Sequence, residues 1–283
     1  MNTGCFTKFK RILGSGWWKQ GKTPEHARFL RRIRLRRFFI VSLQLGIFLG
    51  LLGLWELAVR VGWIDAFIAS SPSLIWKTTM NLFSGGELGR HIAATLKETV
   101  IGFTLGTLLG TLIAVVLWWS KFISEVCEPY LVILNSIPKV ALGPIFIVWL
   151  GTTQLSIIVM ALAVSIMVTV IMVYNGFQEV DLNKVKLLQT FGATRSQILT
   201  KVTLPASVPT ILAALKVNLG LSLVGTIVGE FLVSKEGLGY LIVYGGQVFN
   251  MSLVMAGVAI LCITAYLLYI FVTQLERIIV RWK

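Results

Sequence analysis

Residues 179–211 read EVDLNKVKLLQTFGATRSQILTKVTLPASVPTI, a polar, helix-coded stretch set between two long apolar runs. A turn between neighbouring apolar segments needs only a few residues, whereas this connection extends from residue 178 to 205 and carries helical signals of its own. Asp181 can cap a first helix over LNKVKLLQTF, and Gly192 can end it by taking the left-handed conformation. Thr194 followed by Gln197 is a capping-box pattern that opens a second helix over RSQILTKV. Pro205 and Pro209 then bracket the start of the next apolar run. Leu187, Leu188 and Phe191 form a small apolar face beside Lys184 and Lys186. Such an amphipathic helix either inserts into a groove on a partner or lies on a lipid surface.

What flanks this stretch sets the class of the chain. Only 13% of its 283 residues are charged and 56% are hydrophobic, with mean hydropathy +0.82. A soluble domain carries about a quarter charged residues. A helix that crosses a bilayer needs about 20 mainly apolar residues, because no water is present to satisfy its backbone. Segments of that kind fall at about 38–59, 93–119, 129–150, 155–174, 206–233 and 252–273, the third interrupted by Lys139 and two prolines. The expectation is an all-α membrane protein with six transmembrane helices. Two amphipathic pieces, 71–86 and 234–250, are expected to lie flat at an interface.

Charge orients the spans. Eleven of the 26 Lys and Arg precede Phe38, against the single acid Glu25. Lys121, Lys184, Lys186, Arg195, Lys201 and Arg277 fall on the same side, while the opposite side holds few cations. The excess of Lys and Arg predicts both termini in the cytoplasm. Lys216 is expected to snorkel to the inner interface. The basic tail, residues 1–37, abuts an apolar span, which suits an anionic membrane leaflet and not nucleic acid. The apolar run that follows is too long for a signal-peptide core and has no small-x-small cleavage site close behind it, so it reads as a retained anchor, residues 38–61. The tail also contains GWWKQGKT, residues 16–23, a match to the phosphate-binding loop of nucleotide hydrolases. No apolar strand leads into it, and neither Asp65 nor Asp181 ends such a strand, so it reads as a chance match and the chain as carrying no ATPase of its own.

Few side chains carry chemistry. Three scattered Cys and two His give no metal-ligand or disulfide spacing, and no His, Asp or Cys cluster supports an enzyme. Gly102, Gly106 and Gly110 lie at four-residue spacing, a bare stripe expected to pack within one subunit in preference to a dimer contact. Pro138 and Lys139 interrupt the third apolar segment, a place where broken helices line pathways. Glu230 is an intramembrane acid, and so either a functional group or a buried hydrogen-bond partner.

Three stretches in order then carry a resemblance: NSIPKVALGPIFIVWLG (135–151), FGATRSQILTKVTLP (191–205) and GEFLVSKEGLGYLI (229–242). With GATRSQILTKVTLPASVPTI they resemble binding-protein-dependent ABC transporter permeases, and within these the branch for nitrate, sulfonates, taurine and thiamine or riboflavin precursors. The resemblance covers roughly residues 70–282. It implies a type I ABC importer permease fold in a bacterial inner membrane, with no catalytic site, cofactor or metal in this chain. ATP and Mg would belong to separate ATPase subunits, an extracytoplasmic binding protein would deliver solute, and two permease copies would form the pathway. Coupling to the ATPase would fall to Lys186, Leu187, Leu188, Phe191, Gly192 and Ala193, and the pathway or its gate to Pro138, Lys139 and Glu230. Were the substrate an anion, Lys139 could help draw it through. One departure is plain. Lys186-Leu187-Leu188 stands where the family has Glu-Ala-Ala, which reverses a charge and enlarges two small residues. The rival class, a secondary transporter or channel without an ATPase, would be expected to show paired intramembrane acids, and Glu230 is the one clear acid.

Overall fold

The structure, a computed structural model, describes residues 24–279, and every regular element among them is helical. The chain divides into two compact units, Met1–Trp63 and Ile64–Lys283. The first contains α1 (Pro24–Arg60), in which Arg31, Arg32, Arg34, Arg36 and Arg37 share one continuous helix with the apolar run that follows. Pro24 stands at its first position, where a missing N–H costs nothing. The Gly16–Thr23 motif lies outside the described residues.

The second unit runs through α2 (Pro72–Ser84), α3 (Glu87–Trp119), α4 (Lys121–Ser136), α5 (Gly143–Leu150), α6 (Gln154–Gln178), α7 (Leu182–Thr190), α8 (Arg195–Val233), α9 (Leu238–Gln247) and α10 (Met251–Ile279). Its centre is α6, which packs along both α3 and α8. The glycine stripe explains the first of these contacts. A Cβ on Gly102, Gly106 or Gly110 would lie 2.6, 2.5 or 2.8 Å from the side chains of Ala161, Ser165 and Thr169. Two four-residue rows of small side chains thus let two backbones meet within one chain. At the far end of the bundle Leu88, Leu238, Leu241, Leu253 and Ile260 form an apolar core. At the end that carries α7, Ala114, Val173, Phe177 and Ala214 form another.

Several expectations change in detail. Among the described residues five helices are each long and apolar enough to span a bilayer, and the third expected span is instead a bent pair, α4 and the helical run Lys139–Leu150 meeting at 85°. The polar stretch 120–128, expected as a connection, is the first half of α4, opened by the Ser120 side chain, which accepts from Ile123 N–H. The two helices expected on either side of Pro205 are one helical run, Arg195–Val233. A π turn over Leu199–Thr203 joins them, with Leu204 N–H donating to Leu199 O. This widened turn takes up the register change where proline withdraws a donor. α9 does not lie flat on a surface. Leu238 and Leu241 are buried in the core, and Gly245 meets the backbone of Val254 and Asn250. Lys216, expected to snorkel, instead pairs with Glu276 of α10 at 2.5 Å.

Candidate functional site

The polar connection is built as a stiff elbow. Asp181 caps α7 by accepting from Asn183 N–H at 2.9 Å. At its other end Gly192 has φ 75°. Gly192 N–H donates to Gln189 O at 2.9 Å and Ala193 N–H to Leu188 O at 3.0 Å, the paired bonds that close a helix on a left-handed residue. Two residues later the capping box opens α8. Thr194 N–H donates to Gln197 Oε1 at 2.8 Å and Gln197 N–H to Thr194 Oγ1 at 3.4 Å. Orphan backbone groups on both sides of the bend are therefore satisfied locally, which holds the bend without help from another chain.

The faces of α7 differ from the simple apolar patch expected. Leu187 and Phe191, one turn apart, are 57% and 81% exposed, with Leu182 at 68% and Lys186 and Gly192 also exposed. Leu188 turns inward with Val185, and Ala193 is half-buried. At about 100° per residue, positions 187 and 188 cannot share one narrow face. The outward apolar pair is thus Leu187 and Phe191, with Lys186 beside it. Behind the elbow, Arg195 Nη1 donates to Trp119 O at 2.5 Å, which ties the start of α8 to the end of α3. The sequence marks Arg195 only as one of the orienting cations; its position directly after a capping residue is the signal for this second role.

Pro138 and Lys139 sit at the break between α4 and α5. Lys139 Nζ donates to the Asn135 carbonyl and, at 3.4 Å, to its side-chain oxygen. The ammonium thus closes the last turn of α4 in the manner of a C-terminal cation. Gly143, at the start of α5, packs against Leu232 and Met160.

Glu230 is 1% exposed and holds the start of α9. Thr95 Oγ1 donates to Glu230 Oε1 at 2.6 Å, and Gly239 N–H donates to Oε2 at 2.5 Å. The same Thr95 hydroxyl accepts from Leu238 N–H at 2.8 Å, and His91 Nδ1 accepts from Gly237 N–H at 3.0 Å. A carboxylate at a helix N-terminus answers both the orphan donors and the dipole. Glu98, 2% exposed, lies beside the same carboxyl, and its Oε2 is buried without a hydrogen-bond partner. The membrane core therefore contains two acids in contact, not the one expected. The overlooked signal is helical spacing: His91, Thr95, Glu98 and Thr99 continue the face of α3 that Gly102, Gly106 and Gly110 occupy.

Residues 106–283 match the family described as binding-protein-dependent transport system inner membrane component. A formylaminopyrimidine transport permease protein, ThiX, of Halalkalibacterium halodurans is 30% identical over 237 residues, covering 83% of this chain and 94% of that one. A riboflavin transport system permease protein, RibX, of Chloroflexus aurantiacus is 30% identical over 254 residues, covering 89% and 95%. Among solved structures, a bacterial ABC transporter involved in the import of the acidic polysaccharide alginate superposes with TM-score 0.62 at 18% identity, covering 89% of this chain and 99% of that chain. The buried stripe, the capped elbow and the buried start of α9 are thus features of an all-helical, multi-pass inner-membrane protein with the type I ABC importer permease fold, and the chain belongs to the binding-protein-dependent transport system inner membrane component family.

Proposed function

We propose that this permease couples to a separate ATPase through α7 and carries a small anionic or heterocyclic solute, of the sulfonate, nitrate or vitamin-precursor kind. The observation that carries the coupling is the elbow. An exposed apolar knob, Leu187 and Phe191, stands on a self-capped helix that turns at Gly192 into a helical run continuing to Val233. A push on the knob moves a long rigid rod, about 58 Å at 1.5 Å per residue, which is packed against α6 and tied to α3. Packed helices respond to such a push by switching between discrete arrangements. Two copies of the chain would line the pathway, Pro138, Lys139 and the broken α4–α5 pair would stand near it or at its gate, and an extracytoplasmic binding protein would supply solute. ATP and Mg would be held by the ATPase, with α7 and both termini in the cytoplasm as the charge bias favours. The ThiX and RibX relatives support a heterocyclic solute.

Because Lys186-Leu187-Leu188 is cationic and bulky, the receiving groove should be wider or more acidic than one shaped for Glu-Ala-Ala. The test is co-expression with candidate ATPases. Leu187→Asp combined with Phe191→Asp should lower ATPase association about tenfold or more while leaving the permease monodisperse. Deleting residues 186–194 should abolish association. Undiminished binding in both variants would refute the assignment.

One observation favours the rival class, an ATPase-independent secondary transporter: the Glu98–Glu230 pair is the kind of paired acid that class uses. Both oxygens of Glu230, however, are engaged by Thr95 and by the backbone of α9, which supports a structural use of that carboxyl. Solute accumulation by vesicles holding the purified chain alone would decide for the rival.

A further inference from the structure

At the α7 end of the bundle lies a cleft of about 370 Å³ that the transport scheme does not use. Lys121, Arg195, Gln178, Gln189 and Tyr174 supply its polar wall, Trp118 and Ile198 part of its apolar floor, and among the described residues no acidic side chain lines it. It therefore touches both sides of the elbow and the ends of the spans behind it.

The hydrogen bonding of this wall is one-sided. Arg195 gives one N–H to Trp119 O, which leaves further guanidinium donors for the cleft. Lys121 has only a long contact with Glu125, 3.7 Å, on a side chain 90% exposed. The Tyr174 hydroxyl is engaged with Ser124. Two cations and two amides over an apolar floor match a compact anion attached to an organic group. A planar guanidinium beside an ammonium favours phosphate oxygens, and a pocket of this size accepts a small molecule.

We propose that this cleft is a phosphate-ester site, filled by the headgroup of an anionic phospholipid or by a free phosphate ester, and that the bound ester clamps α7 and the start of α8 to the ends of α3 and α6. The anion satisfies Lys121 and Arg195 together, while its organic part covers Trp118 and Ile198. The site follows from the cleft alone; placing it level with the inner leaflet rests on the orientation proposed above.

The test uses the full-length chain in nanodiscs and needs no ATPase, so its failure is separate from failure of the coupling scheme. In discs of equimolar phosphatidylcholine and phosphatidylglycerol, lipid retained after detergent exchange is measured by mass spectrometry. Phosphatidylglycerol should be enriched in the retained fraction. The enrichment should fall about tenfold in the combined Lys121→Gln and Arg195→Gln variant. Gln189→Glu keeps both cations and the Arg195–Trp119 bond but places a negative charge in the cleft, and should expel the lipid equally. In pure phosphatidylcholine discs, glycerol 3-phosphate should slow maleimide labelling of Gln189→Cys if a free ester is the occupant. Enrichment in the first arm identifies a lipid, and protection in the second alone identifies a free ester. Absence of both effects, or enrichment that survives Gln189→Glu, overturns the proposal. Loss of the enrichment when the ATPase binds also overturns it, and assigns the cleft to an acidic side chain of that partner.

Discussion

Gly192 is the residue on which the elbow turns. Its φ of 75° admits a side chain only with strain, although a Cβ there would meet nothing within 4 Å. Gly192→Val should cost about 1–2 kcal/mol locally and lower ATPase stimulation without reducing the amount of folded permease. Stimulation equal to wild type would show that the bend does not set the coupling geometry. Glu230 gives a complementary test. Glu230→Leu leaves the Thr95 hydroxyl and the Gly239 N–H buried without an acceptor, at about 1–3 kcal/mol each, so the detergent-solubilised protein should melt well below wild type. Glu230→Gln keeps one of the two acceptors and sets its NH2 against the other donor, so it should lose less than Glu230→Leu but still melt below wild type. Equal loss in both would point to the charge, not the hydrogen bonds, as what the site requires.

Among elements, the α3–α6 contact is the most tightly specified. Gly106→Val would drive new atoms into Ser165 and should destabilise by about 1–3 kcal/mol or more. Gly89→Ala lies on the same helix with open space around its Cβ, and should be neutral or stabilising by up to about 1 kcal/mol through helix propensity. A thermal-stability comparison of the two variants separates backbone contact from a general intolerance of substitution in α3. Element identity was largely legible beforehand, because apolar length, Ser and Asp caps, and Gly stops act locally. The turn at 192–194 is a case in point: each hydrogen bond that makes it joins residues within five positions of one another. The joining of α8 across Pro205 was not legible. Proline reads locally as a break, and only packing of both halves against their neighbours makes a π turn preferable to a loop.

At the scale of the molecule, orientation follows from charge and can be checked by labelling. In a background without Cys5, Cys127 and Cys262, Phe191→Cys should react with an impermeant maleimide only from the cytoplasmic face, and Val248→Cys only from the other. Reaction of both from one face would refute the proposed topology. The Gly16–Thr23 motif permits a further check. Lys22→Ala should leave transport by the assembled importer unchanged, and total loss would reopen a nucleotide role for the tail.

By itself the sequence determined that the chain is helical and membrane-embedded, and that a capped helical elbow interrupts the spans, because hydropathy, caps and turn residues act over a few positions. Only the tertiary structure decided that α9 folds back into the core, that Lys216 finds Glu276, and that Glu98 meets Glu230. These contacts join positions far apart in the chain. Each partner, taken locally, has several satisfactory environments, and the choice among them is made when the helices pack.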